Sequence, residues 1–164
     1  MKVRRISPML LVLFLLTIAS TRPSSSAIVL EGASARGDGE FFNRFQSELF
    51  HFSFDVQANK HGKAHGRAEF DNLTNNTQVI AKIDCLRVIG AEALMTGTVL
   101  HTNDPGFPKR TNVVFGATDG LVPGFNSDTI TPLFANPPFE NCHDGASPLT
   151  IFGVGDSIQI DPGV

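Results

Sequence analysis

The chain has 164 residues with a formal net charge of −3, and 18% of its residues are charged. Residues 1–27 hold four basic residues and no acidic one, so the remaining 137 carry nine Lys and Arg against sixteen Asp and Glu, a net charge of −7. Binding to a phosphate backbone or an anionic membrane needs clustered basic residues, and of these nine only Lys109 and Arg110 are adjacent. The composition therefore excludes nucleic acid and anionic membranes as partners.

The first 27 residues have the pattern of a secretory signal peptide. Lys2, Arg4 and Arg5 form a basic start, and residues 9–19 are an apolar run of the required length. Small residues allow cleavage after Ala19 or after Ala27, and we favour the second site.

This pattern predicts a secreted or periplasmic protein with no membrane association once the signal is removed. No later stretch approaches the roughly 18 apolar residues that a spanning helix requires. We expect three regions: a signal peptide at residues 1–27, an N-terminal lead-in at residues 28–49, and one β-domain at residues 50–164.

Cys85 and Cys142 are the only cysteines of the chain. In an oxidising compartment two cysteines most simply form one disulfide, and the alternative is two separate buried thiols. His143 and Asp144 stand beside Cys142, which is a pattern that could activate a thiolate nucleophile. A disulfide would remove that thiolate, so we do not expect cysteine catalysis.

The strongest periodic signal lies at residues 50–58, where every even position is apolar and every odd one is polar. This alternation predicts a strand that buries Phe50, Phe52 and Phe54 on one face. The alternation resumes at residues 64–71 after a turn, so the two segments predict a hairpin. We predict further strands at residues 78–88, 93–101, 112–117, 129–134, 149–153 and 157–160, with a short edge strand at residues 28–30.

In the segment 78–88 the alternation places Cys85 on the same face as Val79, Ala81 and Ile83, which predicts that Cys85 points inward. A helical period occurs only in one short cluster, formed by Phe41, Phe42, Phe45 and Leu49, and it predicts one helical turn at most.

Short strands separated by Gly, Asn and Pro are typical of an all-β fold. The short links between sequence neighbours favour an antiparallel meander that forms a small barrel-like sheet or a sandwich.

The segment 83–90 (Ile-Asp-Cys-Leu-Arg-Val-Ile-Gly), followed by Ala93 and Gly97, resembles the central motif of a family of small exported bacterial all-β domains, most of them known only as hypothetical proteins. The resemblance continues through Asp119-Gly120, residues 127–130, Cys142 and the closing segment 155–160. It covers about residues 50–160. It implies an all-β module whose paired cysteines link the central strand to the late loop, and it implies no activity.

Four polar residues of the predicted hairpin are candidate binding residues, namely His51, Asp55, His65 and Glu69. Each strand carries a histidine and an acid four residues apart on its polar face. Two imidazoles and two carboxylates brought together could bind a cation or perform acid–base chemistry. The simpler interpretation is an ordinary solvated sheet face.

We predict no metal site and no cofactor. His61 and His65 have a spacing that occurs in zinc sites, but Gly62 and the turn keep them off a shared helix face, and no third ligand stands nearby. The segment 155–158 (Gly-Asp-Ser-Ile) is similar to the opening block of a Gly-Asp-Ser hydrolase family, yet too few residues follow it to build the α/β domain of such an enzyme.

The chain has 14 Phe and neither Trp nor Tyr. Core packing is the simplest role for Phe50, Phe52, Phe54 and Phe70, and the alternative is that they line an apolar cavity.

Three functions follow from these patterns. The first is a non-enzymatic exported domain for binding or extracellular structure, whose partner is a small molecule or a cell-surface component. The second is a carrier of a small apolar molecule in a Phe-lined barrel, which predicts an enclosed cavity of several hundred Å³. The third is a hydrolase or isomerase that uses His51, Asp55, His65 and Glu69, which requires these side chains to converge.

Overall fold

The computed structural model describes residues 32–59, 63–120, 127–138, 141–144, 152–155 and 157–163. These ranges contain ten β-strands and no helix, so none of them holds a helix that could span a membrane. The predicted signal peptide, the edge strand at residues 28–30 and His61 lie outside the described residues. The strands are β1 (Ser34–Asn43), β2 (Glu48–Ala58), β3 (Ala64–Asn72), β4 (Thr77–Ile89), β5 (Glu92–Thr102), β6 (Asn112–Thr118), β7 (Asp128–Ile130), β8 (Phe134–Ala135), β9 (Phe152–Gly155) and β10 (Ile158–Asp161).

All ten strands belong to one antiparallel sheet that curls into a half-barrel. Its order is β10-β1-β2-β3-β4-β5-β6-β7-β9, and the short β8 pairs with β6. From β1 to β7 each strand on this path pairs with its neighbour in sequence, which is the predicted meander. The predicted all-β class is therefore confirmed, with the 129–134 segment divided into β7 and β8.

The concave face of the sheet holds the hydrophobic core. Phe52 and Phe54 are buried on it and Phe50 is partly buried, as the alternation predicted. Phe54 and Phe70 each pack edge-on against Phe115, with ring centroids 5.5 and 5.1 Å apart. This chain of rings fills the middle of the half-barrel.

The helical spacing around Phe41 and Phe45 does not produce a helical turn. Phe41 is buried in β1, whereas Phe45 lies in the turn that joins β1 to β2. Residues 34–43 pair with β2 along their whole length, so part of the expected lead-in belongs to the sheet. The apparent helical spacing arises because two strands and a tight turn each contribute apolar residues.

The prediction that Cys85 points inward with Ile83 is also wrong. Between these residues the pairing with β5 shifts register, because Ile83 pairs with Gly97 and Cys85 with Thr96. The extra residue is a β-bulge, which reverses the alternation of faces. Cys85 consequently packs on the convex face of the sheet, in a small cluster apart from the main core.

The predicted disulfide joins Cys85 to Cys142, with 5.8 Å between the Cα atoms. Cys142 is fully buried, and the two cysteines pack with Leu94 and Val114 on the convex face. The disulfide therefore fixes the loop at residues 141–144 over a small apolar patch of the convex face. The Arg87 guanidinium donates a hydrogen bond to the carbonyl oxygen of His143 in the same loop.

Candidate functional site

The four predicted site residues of the hairpin do not converge. The register places His51 opposite Asp71 and His65 opposite Gln57, at the two ends of β3. Six strand positions separate these ends, which corresponds to about 20 Å. A joint catalytic site of the two histidines is therefore excluded by the pairing of the strands.

The other two residues of that set have different neighbours from those expected. Asp55 lies opposite Arg67 in the β2–β3 pairing, and Glu69 lies opposite Ser53. Glu69 accepts hydrogen bonds from Arg67 at 3.2 Å and from the Gln78 amide at 2.8 Å. These contacts are those of a solvated sheet face, in which exposed ion pairs contribute at most about 1 kcal/mol each.

His51 has two carboxylate neighbours that the sequence did not identify. Its Nε2 lies 3.6 Å from Asp38 of β1, and its Nδ1 lies 3.8 Å from Asp71 of β3. Asp38 is three-quarters exposed, and His51 lines neither of the two large cavities of the described residues. The trio can form ion pairs when the imidazole is protonated, but of its three members only Asp38 lines one of these cavities, the polar crevice described below.

Cys142 offers no nucleophile and no metal ligand. The one group of described residues with metal-ligand spacing is Cys85, Cys142 and His143, and two of its three ligand atoms are the sulfurs of the disulfide. Asp144 instead accepts a hydrogen bond from the Asn141 amide at 2.6 Å. This loop is accordingly a structural element held by its own hydrogen bonds.

Ser157 likewise lacks the surroundings of a hydrolase nucleophile. It lies in the turn between β9 and β10, and its hydroxyl donates to the carbonyl oxygen of Val154 at 3.2 Å. Gly155 starts this turn with a φ of 74°. Asp156 lies outside the described residues.

The first of the two large cavities is a polar crevice of about 770 Å³ beside β10. Asp55 lines it together with Arg36 and Arg67, so charges of both signs face the space. Asp119 and Asp128 also line it, and both carboxylates already accept hydrogen bonds from the backbone of β10. These two carboxylates therefore serve to hold β10 in the fold.

The second cavity lies at the end of the half-barrel where the β1–β2 and β3–β4 turns and the β5–β6 loop meet. It has a volume of about 710 Å³, and we call it the mouth cavity. Seven phenylalanines line it, drawn from five strands and from the connecting segments. They are Phe41, Phe45, Phe50, Phe70, Phe107, Phe134 and Phe152, joined by Val79, Leu133, Pro105 and Pro132.

Stacked rings form one wall of the mouth cavity. Phe41 stacks on Phe50 and on Phe152, with ring centroids 5.1 Å apart in each pair. Phe70 contacts the fully buried Phe115, so the cavity ends on the packed core. Phe45 is 86% exposed, and it leaves an aromatic ring free at the entrance.

Hydrogen bonds among polar side chains hold the rim of the mouth cavity. Glu48 accepts from the Asn72 amide at 3.0 Å and from the Asn75 amide at 2.5 Å. Asp104 accepts from the backbone N–H of Gly106 at 2.7 Å. The remaining rim residues are Asn43, Gln46 and Thr77.

The sequence identified Phe50 and Phe70 as core or cavity residues, but it did not identify the other five phenylalanines as a lining. Phe45 and Phe107 carried a signal, because Phe45 is a large apolar residue among polar turn residues and Phe107 follows an Asn-Asp-Pro-Gly turn. Apolar side chains in exposed loops often mark an interaction site.

Comparisons of the chain with protein-family models, with curated proteins and with solved structures give no match.

Proposed function

We propose that this protein is an exported, non-enzymatic binding protein that holds a small and largely apolar molecule in the mouth cavity. The observation that carries the proposal is an aromatic cavity of about 710 Å³ at one end of the sheet. Binding pockets for small molecules usually measure about 300–1,000 Å³ and combine apolar walls with a few polar groups. The disulfide and the basic, then apolar, N-terminal sequence support export.

Solvent exposure of the lining favours binding over plain core packing. A packed core would bury its phenylalanines, whereas Phe45 and Phe134 line the cavity with much of their surface still exposed. A ligand that covers about 200 Å² of apolar surface gains about 5 kcal/mol before the costs of association. We therefore expect submillimolar to millimolar dissociation constants for simple probes, since about 5 kcal/mol corresponds to about 0.2 mM.

The catalytic alternative receives no comparable support. A hydrolase or isomerase needs an acid and a base within reach of one substrate, and His51 and His65 stand at opposite ends of the hairpin. The mouth cavity itself contains no histidine among its described lining residues. Retention of a ligand is thus the activity that the geometry supports best.

Titration with N-phenyl-1-naphthylamine, an uncharged fluorescent apolar dye, tests the proposal. We expect saturable 1:1 binding with increased dye fluorescence in the intact protein. Phe45→Ala removes an aromatic ring from the entrance and should weaken binding about fivefold, since aromatic contacts contribute about 1 kcal/mol each.

Phe42→Ala is the matched control. Phe42 lies in β1, just before the turn that holds Phe45, and it is 53% exposed but does not line the mouth cavity. It should bind the dye like the parent protein. Equal losses in both variants would mean that the dye binds exposed phenylalanines without using the cavity. Absence of saturable binding by the folded parent protein would refute the proposal.

A further inference from the structure

We propose that the ligand of the mouth cavity is an organic cation, with an ammonium-type group at the rim and an apolar body among the phenylalanines. This inference rests on the proposed function and adds the charge of the ligand to it.

The described lining of the mouth cavity carries negative charge and no positive charge. Glu48 and Asp104 are its two ionisable residues, and no Lys, Arg or His lines the cavity in the described part of the chain. Each of the ion pairs found among described residues involves other carboxylates. Among the described residues, neither rim acid is therefore paired with a basic side chain.

Glu48 is held in place by neutral donors. The amides of Asn72 and Asn75 each donate to one of its oxygens, and this fixes the carboxylate without neutralising it. A carboxylate can accept about four hydrogen bonds, so each oxygen retains capacity for another donor. Because the Glu48 side chain is already ordered, it loses little conformational entropy when a cation binds. This favours an N⁺–H donor at this position.

Asp104 supplies a second fixed charge from the β5–β6 loop. Its Oδ1 accepts from the backbone of Gly106 at 2.7 Å, and its Oδ2 accepts from the Thr77 hydroxyl at 3.4 Å. Pro105 and Phe107 of the same loop line the cavity. The loop therefore brings an apolar wall and a negative charge to the same entrance.

The phenylalanine rings, like the two acids, favour a cationic ligand over an anionic one. The face of an aromatic ring carries partial negative charge and attracts cations within about 6 Å of its centre. Phe45 at the entrance and the stacked Phe41 and Phe50 provide such rings in the same lining as Glu48. An anionic ligand, such as a fatty acid, would meet repulsion from both kinds of group.

Three probes with the same ring system separate charge from apolar contact, namely 1-naphthylmethylammonium, 1-naphthalenemethanol and 1-naphthoate. Displacement of N-phenyl-1-naphthylamine measures their affinities at low ionic strength. We expect the ammonium probe to bind about tenfold more tightly than the alcohol, and the carboxylate probe to bind most weakly. Added salt should reduce the difference, because exposed charges are screened.

Charge-neutralising variants locate the effect. Glu48→Gln and Asp104→Asn each remove one negative charge with little change in side-chain size, and each should reduce the preference for the ammonium over the alcohol about threefold. Glu92→Gln makes the same change in net charge at the exposed β4–β5 turn, at the far end of the sheet, and should leave the preference unchanged.

The outcomes distinguish this inference from the proposed function. Equal binding of the ammonium and alcohol probes, or tightest binding of the carboxylate, would overturn the cationic ligand while leaving the cavity as a binding site. A preference that persists in both rim variants would overturn it as well. Failure of all three probes and of the dye to bind would remove the proposed function itself.

Discussion

The carboxylate of Asp128 accepts a hydrogen bond from the backbone N–H of Ile158 at 2.6 Å, and this contact joins the two ends of the curled sheet. Its other oxygen accepts from the backbone N–H of Gly120 at 2.8 Å. Asp119 repeats the arrangement by accepting from the N–H of Ile160 at 3.0 Å. Side-chain carboxylates thus satisfy backbone donors on the edge of β10 that faces away from β1.

Asp128→Ala should destabilise the fold by about 3 kcal/mol. Asp128 is 3% exposed, and the substitution leaves the buried N–H of Ile158 and the partly buried N–H of Gly120 without their acceptor. Urea denaturation measures the change in the free energy of unfolding. Asp161→Ala alters an exposed acid on β10 and should cost less than about 0.5 kcal/mol. Similar effects of both substitutions would contradict a closing role for Asp128.

Strand β1 could not be recognised from the sequence because glycines weaken the strand pattern. Gly37 and Gly39 alternate with charged residues on β1, and glycine has a low strand propensity. The structure explains their presence, because a Cβ atom at Gly37 would stand 2.7 Å from the Phe54 ring. The partner that makes glycine favourable lies on another strand, so a local pattern does not reveal it.

Gly97→Ala should cost about 3 kcal/mol, more than Gly37→Ala. A Cβ atom at Gly97 would stand 2.0 Å from the backbone oxygen of Lys82, which the β4–β5 pairing holds in place. At Gly37 the obstacle is the Phe54 side chain, which can adjust at a cost of about 1–2 kcal/mol. Thermal or urea unfolding of both variants gives the order. A smaller loss at Gly97 would show that the backbones separate easily there.

The sheet faces were predictable wherever the alternation runs without a bulge. The segment 50–58 was assigned correctly, whereas Cys85 was assigned to the wrong face because the extra residue after Ile83 is invisible when positions are counted from one end. After the bulge the even-numbered residues face the main core, as the packing of Leu86 and Val88 shows. Reading the segment from both ends would have indicated the bulge.

Removal of the disulfide should lower stability without changing the fold. In the chain-entropy model, a loop that spans 57 residues of sequence separation contributes up to about 4 kcal/mol. We expect Cys85→Ala combined with Cys142→Ala to show most of this loss in urea denaturation, and reductant to produce a similar loss in the parent protein. Alkylation of both thiols in unreduced parent protein would contradict the bond. Reductant should leave the double variant unchanged.

The mouth cavity was not predictable because its lining is assembled by curvature. Phe41 and Phe50 are cross-strand partners in the β1–β2 hairpin, whereas Phe152 is distant in sequence and meets Phe41 only when β9 returns beside β1. The alternation placed Phe50 on the inner face but could not distinguish the packed middle of the sheet from its open end. The position of a residue along the axis of a curled sheet depends on strand register, which sequence periodicity leaves undetermined.

Filling the mouth cavity should raise the melting temperature. A ligand that binds only the native state stabilises it by about 1.4 kcal/mol at ten times its dissociation constant, which corresponds to about 5 °C for a domain of this size. Calorimetry with N-phenyl-1-naphthylamine should therefore show this increase in the parent protein and in Phe42→Ala. At the same dye concentration, Phe45→Ala should show less than half of it.

The same measurement detects a natural ligand. Protein purified from exporting cells should lose stability when bound small molecules are extracted with organic solvent and the chain is refolded with its disulfide intact. Addition of the extract should restore the melting temperature of the parent protein more effectively than that of Phe45→Ala. A melting temperature that neither the dye nor the extract changes would count against ligand binding and favour an extracellular structural role.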